Sequence, residues 1–181
     1  MNSINPQLVE QSIDGNLNSF GELYESVYND LYRFCFYYLQ NSDDASDAVQ
    51  ETALDAFKGI SSLKNPASFK SWIFTIALVK CKIHIKTIIR HKNNVNADDL
   101  KDFVSGVDFS DSVLNALYIK KYISALKSDE KSIIILAVVL DYQMSEIANI
   151  LKIPIGTVKS KLSRTLRKLR IKIKEEDVVL S

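Results

Sequence analysis

Apolar residues in this chain recur at intervals of three and four, and that period admits little except helices. Phe20, Leu23, Tyr24, Val27, Leu31 and Phe34 form one such stripe, predicting a helix over about 18–40. Asn41-Ser42 interrupts it. Ser42 is expected to cap the next helix, with Asp43 and Asp44 in the positive first turn. That helix should bury Ala45, Ala48, Val49, Thr52, Ala53 and Ala56 and show Asp47, Gln50 and Glu51 on its other side. After a turn-rich stretch from Gly59 to Pro66, Ser68 is expected to cap a long helix carrying Trp72, Ile73, Ile76, Ala77, Ile83 and Ile88. Periodicity is lost from His91 to about Phe109, where Asn and Asp dominate, and this stretch reads as a linker. Helical spacing resumes at Val113, Leu117, Ile123 and Leu126, followed by helices from Ser128, from about Met144 to Leu151 and from about Ile155 to Lys174. Five Gly and three Pro among 181 residues are too few for the many turns of an all-β fold. The expected fold is all-α: two small helical domains, 1–92 and 111–176, joined by an acidic linker at 93–110, with a tail at 177–181.

The net charge of +1 conceals strong segregation. Between Asp55 and Asp98 there are eight cations and no anion: Lys58, Lys64, Lys70, Lys80, Lys82, Lys86, Arg90 and Lys92. Between Glu146 and Glu175 there are nine, from Lys152 to Lys174, again with no anion. Acids gather at Asp43, Asp44, Asp47, Glu51 and Asp55, and at Asp98, Asp99, Asp102, Asp108 and Asp111. Two basic zones separated by acidic ones suit two meetings with a polyanion and one surface that avoids it, or else plain solvated helix faces. Two cysteines, Cys35 and Cys81, do not make a disulfide framework. The first ten residues carry no secretory pattern, and the longest uncharged apolar run, Ile133 to Leu140, is far short of a membrane span. A cytoplasmic protein is expected.

The segment from Glu146 to Ser160 has helix-turn-helix spacing. Ala148 stands where two crossing helices need a small side chain, Lys152-Ile153-Pro154 makes the turn, and Pro154 needs no N–H at a helix start. Lys152 occupies a place that usually prefers Gly. Val158 and Leu162 should pack inward, leaving Gly156, Thr157, Lys159, Ser160, Lys161, Ser163, Arg164 and Arg167 for a DNA groove. An ordinary helical hairpin is the alternative.

The string Glu146-Ile-Ala-x-x-Leu-x-Ile-x-x-Gly-Thr-Val-Lys-Ser-x-Leu-x-Arg164 resembles the fourth region of bacterial RNA polymerase sigma factors. Leu23-Tyr24, Asp44-Ala-Ser-Asp-Ala-Val-Gln-Glu-Thr52 and Phe69-x-x-Trp72-Ile-Phe-Thr-Ile-Ala77 resemble the second. The pair in this order, with no third domain between, resembles the extracytoplasmic-function group. The resemblance implies a promoter-specificity subunit without catalysis, a region 2-like domain and a region 4-like domain. It implies that Asp43, Asp44, Asp47, Gln50 and Glu51 dock on the beta-prime clamp helices of core RNA polymerase, with the beta flap as a second contact. The minus-ten element would meet Ser61, Lys64, Asn65, Lys70, Trp72, Lys80, Lys82 and Lys86, the loop from Gly59 to Ser68 framing a flipped base. Gly156 through Arg167 would read the minus-thirty-five element. An anti-sigma factor, which can be membrane-bound, is a further implied partner. Leu78, Val79 and Ile83 depart from the family's polar residues, and Gln143 replaces its hydroxyl cap, which suggests an outlying member with its own promoter sequence. The linker acids would either mimic polyanion in polymerase channels or act as a plain tether.

A free-standing helix-turn-helix regulator is the alternative, although it has no need of an acidic helix followed by a basic one. Cys81 and His84, with His91 and Cys35, form the only metal-like grouping and lack an evident fourth ligand, so no metal site is expected. No phosphate loop, nucleophile elbow or paired catalytic carboxylates occur, and neither a cofactor nor a small-molecule substrate is expected.

Overall fold

The computed structural model describes residues 4–94 and 121–179, and among these there is no strand. Helix α1 spans Pro6–Ile13, α2 Leu17–Leu39 and α3 Ser42–Gly59. Two short 3₁₀ turns, Ile60–Ser62 and Pro66–Ser68, lead into α4, Phe69–Asn94. Later come α5, Ser128–Ile134, continued by a π-helical turn at Ile135–Val139, then α6, Met144–Leu151, and α7, Ile155–Val179. The expected linker at 93–110 lies outside the described residues beyond Asn94, as do Val113, Leu117 and the linker acids.

The predicted stripe on α2 is the centre of the first helical cluster. Leu23, Val27, Leu31, Phe34 and Tyr38 are all buried, each large side chain contributing about 1.5–3 kcal/mol on leaving water. Ala45, Ala48 and Ala56 on α3 are fully buried, and such small side chains let α3 lie close to α2. The cap of α3 is Asn41 rather than Ser42: its side-chain oxygen accepts from the amides of Asp43 and Asp44 at 2.8 and 2.9 Å, while Ser42 is already helical. Asn65 likewise caps the second 3₁₀ turn, which contains Ser68 as its last residue. On α4 the inward residues are Phe69, Ile73, Phe74, Ala77, Leu78 and Cys81; Ile83, expected inside, is 49% exposed. Helix α1, which the sequence reading did not anticipate, is capped by Asn5 and seats Val9 in the core.

The second cluster is built on Ile133, Ile135, Leu136, Ile147, Ile150 and Val158. The two helical domains expected from the sequence, whose relative arrangement it left open, pack against each other in the described helices. The ring of Phe74 lies 5.7 Å from that of Phe34 and 5.2 Å from that of Tyr142, so one side chain of α4 serves both cores. Arg33 of α2 donates to the carbonyl of Val139 at 2.7 Å, satisfying an acceptor at the end of the π-helical turn.

Candidate nucleic-acid and protein interfaces

The turn between α6 and α7 is made as the spacing predicted. Lys152 ends α6 with φ 54°, a left-handed conformation that costs a non-glycine residue about 1–2 kcal/mol, and its amide bonds the Ala148 carbonyl. The Pro154 carbonyl accepts from the amides of Thr157 and Val158 at 2.9 and 3.1 Å, starting α7. Gln143 at the start of α6 has its amide bonded to Glu146 at 2.8 Å, so the absent hydroxyl cap is offset by half of a capping box.

Val158 is buried and Leu162 half-buried, as expected, and Gly156, Lys159, Ser160, Ser163, Arg164 and Arg167 are exposed on α7. Thr157 and Lys161 are half-buried. Lys161 is held by Asp129 at 2.8 Å and Lys168 by Glu130, so α5 uses two acids to fasten α7. The Lys161 hydrogen bond holds the Asp129 carboxyl below its usual range, with help from the charge of Lys82, and Lys168 does the same for Glu130. Arg164 donates from Nε to the Ser160 carbonyl at 3.1 Å, which keeps its guanidinium along the helix surface.

In the first cluster, Asp43, Asp47 and Gln50 are exposed on α3, and Asp44 and Glu51 are half-buried toward α4. Lys80 of α4 bridges Asp55 at 2.7 Å and Glu51 at 3.5 Å, and His84 lies 3.3 Å from Glu51 and 3.8 Å from Asp44. The Asp55 hydrogen bond raises the Lys80 pKa. Leu54 and Phe57 are 58% and 49% exposed and fall at helical spacing from Asp47 and Gln50, so the α3 face is mixed acidic and apolar. Sequence reasoning missed these two; the interval 47, 50, 54, 57 was the available signal.

Ser61, Lys64 and Asn65 are exposed on the connecting turns, although the Asn65 side-chain oxygen is used in capping. Lys82 and Lys86 are exposed on α4. Trp72 is half-buried beside Phe69, with Gly59 leaving room for it: a Cβ there would stand 3.3 Å from the indole. Lys70 faces the second cluster, 3.1 Å from Glu146 and 3.9 Å from the centre of the Tyr142 ring. The basic zone is therefore divided: Lys64, Lys82 and Lys86 project outward, whereas Lys70 and Lys80 have carboxylate partners. Cys35 and Cys81 are free and buried; a hydrogen bond with the Cys35 thiol, with burial second, raises the Cys81 pKa. Among the described residues no group of three or more His, Cys, Asp or Glu could hold a metal, and no helix is long and apolar enough to cross a membrane.

A helix-turn-helix with a basic outer helix, joined to a helical cluster bearing acidic and basic faces, defines a two-part DNA-binding protein. Residues 23–91 match Sigma-70 region 2 and residues 116–169 match Sigma-70 region 4. RNA polymerase sigma factor SigV of Bacillus subtilis is 33% identical over 157 residues, covering 82% of this chain and 87% of its own. The ECF RNA polymerase sigma factor SigW of the same organism is 24% identical over 181 residues, covering 92% and 95%. The solved structure of CnrH in complex with the cytosolic domain of CnrY shares the fold, with TM-score 0.73 and 18% identity over 96% of this chain and 99% of that one. The sigma factor RpoE of Bartonella quintana, solved with the anti-sigma factor NepR, gives TM-score 0.72 and 23% identity over 87% and 98%. The chain belongs to the sigma-70 family, in its extracytoplasmic-function group.

Proposed function

We infer that this protein is a promoter-specificity subunit that binds core RNA polymerase and directs transcription initiation at a particular set of promoters. It has no catalysis of its own; the polymerase makes the RNA. Core polymerase, promoter DNA and an anti-sigma factor are its partners. It acts in the cytoplasm, where the template and polymerase are.

The observation that carries this reading is the presence, in one chain, of a basic helix-turn-helix and a second helical unit whose α3 and α4 faces differ in character. We assign polymerase docking to Asp43, Asp44, Asp47, Gln50 and Glu51, joined by Leu54 and Phe57. A mixed acidic and apolar face suits a basic partner whose own apolar side chains need cover. The minus-ten element falls to Ser61, Lys64, Asn65, Trp72, Lys82 and Lys86, with Lys70 and Lys80 added once their carboxylate partners release them. The minus-thirty-five element falls to Gly156, Thr157, Lys159, Ser160, Lys161, Ser163, Arg164 and Arg167 on α7. Residues 1–92 and 111–176 are the corresponding units, with the clamp helices and the beta flap respectively as their polymerase contacts.

Adding the purified chain to core polymerase on genomic fragments, followed by transcription start mapping, tests the reading. New, discrete start sites are expected, and no RNA from the chain alone. Unaltered start sites, with the chain binding duplex DNA by itself as a dimer, would instead identify a free-standing regulator.

A further inference from the structure

Three residues of α4 stand where the family resemblance implies polar side chains: Leu78, Val79 and Ile83. The fold separates them. Leu78 is 6% exposed and belongs to the core, whereas Val79 and Ile83 are each 49% exposed. They lie four residues apart, so their side chains are neighbours on the helix surface. Trp72 and Lys86 fall seven residues either side of Val79, and Arg90 falls seven beyond Ile83. At about 3.6 residues per turn all five share one side of α4. The opposite side carries Ile73, Phe74, Ala77 and Cys81, all fully buried.

Lone exposed apolar side chains are ordinary on a soluble protein. This pair differs in its setting. Between Asp55 and Asp98 the sequence has no acid, and Lys82, Lys86 and Arg90 are exposed around the pair. A purely apolar partner has no use for such a ring of cations, whereas a nucleic-acid strand brings phosphates to it. Val and Ile can neither donate nor accept a hydrogen bond, so the polar groups on a base edge offer them nothing. The apolar group that a base edge does offer is the 5-methyl of thymine. Both side chains are β-branched and strongly prefer one rotamer in a helix, so their methyl groups are fixed before a base arrives. Helix propensity does not explain them, since both are weaker helix formers than Ala or Lys.

We propose that Val79 and Ile83 form a thymine-reading patch: the 5-methyl group of a minus-ten thymine lies against the two side chains while Lys86 and Arg90 hold the flanking phosphates. The proposal rests on the reading of α4 as the promoter-facing helix, and it adds a base and the group by which that base is recognised. Val79 and Ile83 lie about 10 and 16 Å along α4 from Trp72, at about 1.5 Å per residue. That distance is roughly three to five steps of a strand from the base framed by Gly59 to Ser68, at about 3.4 Å per step. A polar side chain at either place would read by hydrogen bonds instead, so the pair gives this chain a promoter preference of its own.

The test uses the holoenzyme, core polymerase carrying the full chain, on a promoter found by start mapping. Each thymine of the minus-ten element is replaced in turn by deoxyuracil, which removes the methyl and keeps the pairing edge. Both strands are substituted, in intact duplex and in fragments opened beforehand by a mismatched bubble. The two forms distinguish a methyl held in the groove from one held on the separated strand, and a response in either supports the patch. At one or two positions in the window, loss of the methyl should weaken wild-type binding about fourfold. Val79→Ala with Ile83→Ala keeps the helix and the cations. It should lose a similar factor on the thymine promoter and bind the thymine and deoxyuracil forms equally. Circular dichroism and unchanged affinity for core polymerase verify that the variant is folded and docks. Uniform tolerance of deoxyuracil by the wild type, or an equal penalty from deoxyuracil in wild type and variant, would overturn the patch. Failure of the α4 reading is seen separately: Lys82→Ala with Lys86→Ala would then leave promoter opening by the holoenzyme unaffected.

Discussion

Lys80 of α4 reaches across to Asp55 of α3 and bonds its carboxylate at 2.7 Å, so an ion pair ties the helix assigned to polymerase docking to the helix assigned to DNA. The Lys80 side chain is only 16% exposed and also approaches Glu51 at 3.5 Å, while both acids are close to half-exposed. Solvent therefore screens the pair, and Lys80→Ala should cost no more than ~1 kcal/mol in chemical denaturation. The raised lysine pKa gives the pair a definite pH dependence: its contribution is complete below the ordinary lysine range of about 10.4 and is lost as pH climbs past the folded value. A neutral-pH dependence of the Lys80 contribution would contradict this.

Asp47→Lys on the exposed α3 face should reduce core polymerase affinity at least tenfold, and Leu54→Ala with Phe57→Ala should do so comparably. Asp47 and Leu54 project into solvent, so their replacement should leave the melting temperature within a few degrees of wild type, whereas Phe57→Ala also removes the edge contact of its ring with Phe20 at 5.3 Å and should lower it by more. Surface-plasmon binding to core polymerase checks the first effect and calorimetry the second.

Lys159→Ala and Arg164→Ala on α7 should weaken promoter binding by the holoenzyme while leaving docking intact. A cation that contacts phosphate should reduce the salt slope by about 1, whereas one that reads a base should relax sequence preference. Loss of docking and promoter binding together in these folded variants would contradict the division of tasks.

Acid should loosen the attachment of α5 to α7. Asp129 and Glu130 have pKa values lowered by Lys161 and Lys168, so their contribution is full above the ordinary carboxylate range of about 4 and disappears as pH falls through the lower folded values. Amide protection factors near Glu130, which correct for the intrinsic exchange rate, should fall as pH drops below about 4, and more than in an Asp129→Asn, Glu130→Gln variant.

Thr165 is fully buried on α7 with its hydroxyl oxygen lacking a hydrogen-bond partner. Thr165→Val removes that group at nearly constant shape and should stabilise the protein by about 1 kcal/mol, a rise of a few degrees in melting temperature. A fall would mean that the hydroxyl is satisfied in solution.

The helices themselves were legible because burial on one side imposes the period, and Leu23, Val27, Leu31 and Phe34 obey it strictly. The turn at Lys152–Pro154 was legible from local chemistry too: Pro cannot continue a helix but suits the start of one, where no N–H is needed. The cap of α3 was misplaced by one residue, since Asn41 and Ser42 are both good caps and only backbone geometry chooses between them. Helix α1 escaped notice because eight residues give barely two turns of pattern.

By itself the sequence determined the helical class, the order of the two units, the helix-turn-helix and the segregation of charge, all of which depend on neighbours along the chain. Tertiary structure alone decided which cations are available. Lys70 and Lys82 look alike in sequence, yet one lies against Glu146 and Tyr142 and the other points outward. The partners of Lys70 stand more than seventy positions away, and no local period encodes a contact between helices so far apart in the chain.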